Sequence, residues 1–275
     1  MKKSSIFVFI TVVVAFGFLI LGFVSYQGKL DRIEREAWAS QDLKQAQKEK
    51  ESALLEELNP SQHPGQSVLD FLRYQSLVNG EVVISLLGSD SIAGVDDTLL
   101  QNKLQSFDPL FKTVTVHNYG FERYSTSDLV KEDKHLIVVN DLPDLVIFET
   151  SIIANQKEEV YYDQTDEDIE TMMSDMTSKL PNTRFLIISP NPTADDERGE
   201  NNPMGYTRQG YLDSTKAFIE DAQWEYFDVN AAMKTKVGEE HRSVGDILAD
   251  DIHLNEEGYE MWGDVLFHYF GRTHQ

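Results

Sequence analysis

The sequence predicts an α/β domain in which a parallel sheet is covered by helices. Three observations carry that expectation. Apolar runs of strand length recur at Val82–Leu87, Thr113–His117, Leu145–Phe148 and Phe185–Ser189, with a shorter one near Tyr226–Val229. Stretches with helical character separate them, "DDTLLQNKLQSF", "DEDIETMMSDMTSKL" and "GYLDSTKAFIEDA", and "NEEGYEMWGDVLFHYF" closes the chain. The runs are also continuous rather than alternating, as expected of strands buried on both faces. In such sheets the reactive crevice lies beyond the carboxyl ends of the strands. The first three runs end there in polar residues, "GSDS", "HNYG" and "ETSIIAN".

The segments before that domain read differently. Residues 1–28 hold Lys2 and Lys3, then an uncharged run from Ile6 to Val24. At a rise of ~1.5 Å per residue this run spans ~28 Å, close to the ~30 Å hydrocarbon layer of a bilayer. It is too long for an ordinary signal-peptide core, and no A-x-A-like site follows. An uncleaved anchor is expected, with a cleaved signal as the other reading. The lysines keep the start cytoplasmic and turn the rest outward, so the expected location is the cell membrane, single-pass, with the C-terminal domain extracellular. Residues 29–65 follow as a charged helical stalk and linker. They are rich in Glu, Lys, Gln, Ala and Leu, all good helix formers. The apolar positions are too scattered for a sustained heptad seam, so a solvated stalk is favoured over a coiled-coil stem. "NPSQHPG", with two prolines and a glycine, marks the boundary to a domain over 66–275.

Composition removes several classes of function. The 275-residue chain carries a formal net charge of −23, which excludes nucleic acid as a partner, because phosphate binding needs clustered Lys and Arg. It contains no cysteine, which excludes disulfides, thiolate metal sites and a cysteine nucleophile. Phosphate-binding glycine loops, H-E-x-x-H and the G-x-S-x-G elbow are missing too. The acid run "DQTDEDIE" lacks a turn glycine and reads as a charged helix start, which the helix dipole favours.

What remains is a possible acyl-transfer constellation. Asp250 and His253 stand three apart in "LADDIHLNEEGYEMW", just before a helix start. A carboxylate at that spacing can accept the imidazole Nδ1–H, which fixes the tautomer and leaves Nε2 free as a base. The reacting group would then come from "SLLGSDSIAG", where Ser89, Asp90 and Ser91 follow the first strand. Alone, a serine-rich turn in that position is an ordinary helix cap.

Together, "LLGSDSIAG", "VHNYG", "PDLVIFETSIIAN" and "DDIHLNEEGY" resemble the blocks of the SGNH (GDSL-type) hydrolase superfamily across about residues 80–270. The resemblance implies a flavodoxin-like three-layer α/β/α sandwich and esterase or acylhydrolase activity without cofactor or metal. It assigns His253 and Asp250 to the triad. Gly88 to Gly94 matches the length of the family's first block, but an ungapped match puts Asp90 where the family has its serine. Ser91, which keeps the local Asp-Ser order, is therefore the first choice of nucleophile and Ser89 the second. Gly120 and Asn155 fall on the oxyanion positions, and Asp90 and Glu149 are neighbours able to tune the site. The expected function is an extracytoplasmic, membrane-anchored esterase acting on ester groups of cell-envelope glycans or lipids. The alternatives are a catalytically degenerate domain that binds glycan or protein, and an O-acyltransferase.

Overall fold

The computed structural model describes residues 26–30, 32, 35, 38, 40–63 and 65–273. The apolar run from Ile6 to Val24 lies outside the described residues, among which no helix is long and apolar enough to cross a membrane. The described residues divide into two units between Glu57 and Leu58. In the first, residues 40–57 are helical, as their composition predicts.

The second unit is a five-stranded, wholly parallel sheet. Its strands are β1 (Val82–Gly88), β2 (Val114–Gly120), β3 (Leu145–Glu149), β4 (Arg184–Ile188) and β5 (Tyr226–Phe227). They lie in the order β2-β1-β3-β4-β5. Helix α1 (Val68–Asn79) precedes β1, and between the strands run a short α2 (Asp90–Ala93), α3 (Asp97–Phe107), α4 (Thr126–Lys131), α5 (Ile152–Lys157), α6 (Tyr162–Lys179), α7 (Ala194–Arg198) and α8 (Arg208–Asp221). After β5 come α9 (Val229–Glu239) and α10 (Glu256–Phe270).

Side-chain alternation along the strands generates three layers. Val82, Ile84 and Leu86 of β1, with Leu145 and Ile147 of β3, pack against α1, α3, α9 and α10. Leu87 of β1, with Val146 and Phe148 of β3, points the other way, onto Leu129 of α4, Met172 and Met176 of α6 and Ile219 of α8. Because both faces are covered, every position of β3 is buried and its sequence shows no polar alternation.

Boundary differences have physical reasons. The second strand continues past His117 because pairing with β1 persists to Gly88↔Gly120. The fifth stops at Phe227 because Asp228 turns to cap α9, its side chain accepting from Ala231 N–H. Helices α1 and α9 escape a reading based on long periodic stretches. For α1 the caps are the visible signal, since Ser67 accepts from Asp70 N–H and Gly80 closes the helix at φ 79°.

The chain leaves β1 for β2 at one edge and returns past β1 to β3. Strand order thus reverses between β1 and β3, the place where such sheets open a crevice at their carboxyl ends.

Candidate active site

Residues 88–91 stand at that reversal. Gly88 ends β1 under close approach from β3, since a Cβ there would lie 2.7 Å from the Glu149 Cβ. Ser89 then caps the four-residue α2 without a side-chain capping bond. Glu149 organises the bend from below, its carboxylate accepting from Ser89 N–H at 2.9 Å and from Ser151 N–H at 2.8 Å.

The chain turn after a short 3-10 helix (Val244–Ile247) delivers the histidine. Asp250 Oδ1 accepts from the backbone N–H groups of Ile252 and His253 at 2.8 and 2.7 Å, and Oδ2 meets His253 Nδ1 at 2.7 Å. These bonds to the ionised form hold the Asp250 carboxyl down at about 2. The loop is braced by Asn255, which caps α10 through Gly258 N–H, and by Asn191, whose side-chain amide donates to Ile252 C=O at 3.1 Å. His253 Nδ1 is thereby committed to Asp250, and Nε2 points inward, buried and without a hydrogen-bond partner.

Asp90 Oδ1 lies 3.9 Å from Nε2, within ion-pair range. Asp90 is nearly closed off, with its side chain 1% exposed, whereas that of His253 is 33% exposed. Asp90 Oδ1 also accepts from the backbone N–H of Arg123 at 3.1 Å, and Oδ2 from the Ser89 hydroxyl at 3.3 Å.

The other residues singled out in the sequence are placed differently. Neither serine hydroxyl hydrogen-bonds to His253. Ser91 Oγ accepts from Asn191 N–H at 3.1 Å, and Ser89 Oγ is turned to Asp90. Gly120 and Asn155, expected as oxyanion donors, make other hydrogen bonds in this structure. Gly120 N–H donates to Asn118 Oδ1 at 2.8 Å. The Asn155 side-chain amide donates to the hydroxyls of Thr126 and Thr165, in a buried network that joins α4, α5 and α6. The cause in both cases is a local partner that reaches the donor first. Sequence reading missed Arg123. It sits at φ 64°, a left-handed conformation that a non-glycine residue adopts at a cost of about 1 kcal/mol, and it turns its N–H to Asp90. The signal was the position itself, in the loop directly after β2.

Glu149 is completely buried, and burial pushes its carboxyl up to about 7. Its two N–H donors and Arg208 oppose the rise, while Asp90 adds to it. A raised carboxyl binds its proton more tightly folded than unfolded, so stability falls as pH rises from the unfolded value near 4.5 through about 7. Across that window the stability of the wild type relative to Glu149→Gln should drop by on the order of 3 kcal/mol, read from urea unfolding at pH 4.5 and pH 8. A pH-independent difference would show that Glu149 does not titrate there. Among the described residues no cluster of His, Asp and Glu is arranged to hold a metal ion.

Neither a family model nor a curated protein sequence matches this chain. Solved structures do share its fold. A lipase/acylhydrolase from Enterococcus faecalis superposes at TM-score 0.55 and 20% identity, over 70% of this chain and 97% of the other. A catalytic mutant of an acetylxylan esterase from Geobacillus stearothermophilus gives 0.54 and 18%, over 70% and 94%. An α/β hydrolase from the metagenome of Lake Arreo, Spain, gives 0.57 and 16%, over 69% and 95%. The parallel-sheet α/β domain therefore shares its fold with these three structures.

Proposed function

We propose that this protein is a membrane-anchored, outward-facing ester hydrolase in which the carboxylate of Asp90 takes the place of a serine hydroxyl. The observation that carries the reading is the line Asp90–His253–Asp250, with Nδ1 of the imidazole held by one carboxylate and Nε2 facing the other. The fold shared with an acetylxylan esterase and a lipase/acylhydrolase supports an ester as substrate. The apolar run at Ile6–Val24 supports action near the membrane, on O-acetylated envelope glycans or lipid esters.

In the first half-reaction Asp90 attacks the ester carbonyl carbon. The C–O bond to the alcohol breaks, and His253, as the imidazolium, gives its Nε2 proton to the departing alkoxide. Asp90 is left as a mixed anhydride with the acyl group. In the second, neutral His253 takes a proton from water, hydroxide attacks the acyl carbon, and the acid leaves as the Asp90 carboxylate and the imidazolium are restored.

Full-length protein in detergent micelles, assayed on p-nitrophenyl acetate, tests this. Ser89→Ala and Ser91→Ala should keep activity within about threefold, while His253→Ala should lose about a thousandfold or more. Loss of turnover in one serine variant alone would transfer the nucleophile to that serine. A second reading, binding of a glycan or protein without turnover, is favoured by the burial of Asp90. Absence of turnover on any acyl ester, with glycan binding intact, would replace the first reading with the second.

A further inference from the structure

The first residue of α8, Arg208, is 2% exposed. Its guanidinium makes one hydrogen bond, from Nε to Gln156 Oε1 at 2.6 Å. Nη1 and Nη2 are buried and have no hydrogen-bond partner among the described residues. Asp195 Oδ2 stands 3.7 Å from Nη2, within ion-pair range but too far to accept a hydrogen bond. Asp196 is engaged by Lys234, Asn230 and Thr193. A guanidinium holds its N–H donors in a rigid planar fork, and leaving buried donors unmade is unfavourable. A fold that keeps such a group is holding it for something other than stability.

Its position indicates what that is. Gln156 lies on α5 after β3, and Asp195 on α7 after β4, so Arg208 stands at the carboxyl end of the sheet between those two strands. Helix α5 packs against both α8, which begins at Arg208, and α2, which begins at Asp90. Thr150 and Ser151, the next residues after Glu149, have buried hydroxyls without partners, as does Nε2 of His253. These unmade polar groups therefore lie at the carboxyl end of the sheet, the end at which Asp90 stands. The donors that usually serve an oxyanion are meanwhile occupied: Gly120 N–H by Asn118, the Asn155 amide by Thr126 and Thr165, and Arg123 N–H by Asp90 itself.

We infer that Nη1 and Nη2 of Arg208 form the oxyanion hole, receiving the carbonyl oxygen of the ester as Asp90 attacks; this rests on the hydrolase reading above. As the Asp90–carbon bond forms, the carbonyl π pair moves onto oxygen and meets a planar, two-pronged donor in a dry site, where such preorganised donors act most strongly. The surrounding carboxylates Asp90, Glu149 and Asp195 disfavour substrates with an anionic acyl group. The preferred substrate class is consequently an uncharged acyl ester, such as an O-acetyl group.

Arg208→Met, of similar length and without donors, is the decisive variant, with Arg208→Lys beside it, both as full-length protein in detergent on p-nitrophenyl acetate. The expected kcat falls roughly 10²–10³-fold in Arg208→Met with KM within about threefold, and Arg208→Lys restores little because a point charge lacks the fork. Thermal unfolding of Arg208→Met should occur at the wild-type temperature or above it, because the variant removes unsatisfied buried donors. A kcat within threefold of wild type in Arg208→Met would overturn the inference. So would a joint fall of kcat and unfolding temperature, which marks a structural role. If the wild type itself turned over no ester, the hydrolase reading would fall and this inference with it; an active wild type with an active Arg208→Met would sink this inference alone.

Discussion

Asp90→Asn is expected to abolish ester turnover, by about a thousandfold or more, while leaving the fold intact. The replacement is isosteric and keeps an oxygen to accept the Arg123 N–H, so only nucleophilicity is removed. The complementary variant is more telling. Asp90→Ser puts a hydroxyl opposite Nε2 of a histidine whose other nitrogen is already fixed by Asp250, which is the arrangement that activates serine. The wild type should resist a fluorophosphonate probe that labels activated serines, and Asp90→Ser should become labelled. Hydroxylamine added during wild-type turnover should convert the anhydride into a hydroxamate on Asp90, visible by mass spectrometry of the peptide containing it. Wild-type labelling at Ser89 or Ser91 would overturn the carboxylate mechanism.

The second large effect concerns the frame that carries Asp90. Gly120→Ala should destabilise the domain by about 3 kcal/mol or more, lowering the unfolding temperature by roughly 6–12 °C. A Cβ at Gly120 would run into the backbone of Ala93 and Ile92, in the short helix that starts at Asp90. Backbone atoms cannot rotate away, so either β2 or α2 must shift. Gly238→Ala provides the contrast. It lies within α9 with open space around its Cα, and alanine there should be neutral or stabilising by up to about 1 kcal/mol. Differential scanning calorimetry of the two variants decides the matter, and an unshifted Gly120→Ala would mean that the β2–α2 contact is soft.

Much of this architecture was legible in the residues. The four longer strands announce themselves as apolar runs, and α10 as a long amphipathic stretch with Asn255 as its cap. The Asp250–His253 pair was legible because it is local: three residues of chain separate the partners and their geometry follows from one turn. The remainder depends on long-range placement. Which of Ser89, Asp90 and Ser91 faces His253 is decided by the direction of a single bend, where each step turns the side chain sharply. Ser91 was favoured from local Asp-Ser order, yet its hydroxyl meets Asn191, a residue of the loop after β4. Gly120 and Asn155 have the right residue types, but their donors are captured by neighbours that no motif specifies. Arg208 lies outside every motif, because an isolated arginine at a helix start carries no pattern until burial makes its unmade bonds visible.

The order of the working parts along the polypeptide carries a consequence for biogenesis. Asp90 follows directly after the earliest strand of the sheet, whereas His253 hangs on a loop secured by the final helix, which seats through the buried Trp262 and Phe270. During synthesis the carboxylate and its imidazole partner remain apart until nearly the last residue has been added. A product shortened before Trp262 would lack the buried anchors of the helix that secures the His253 loop.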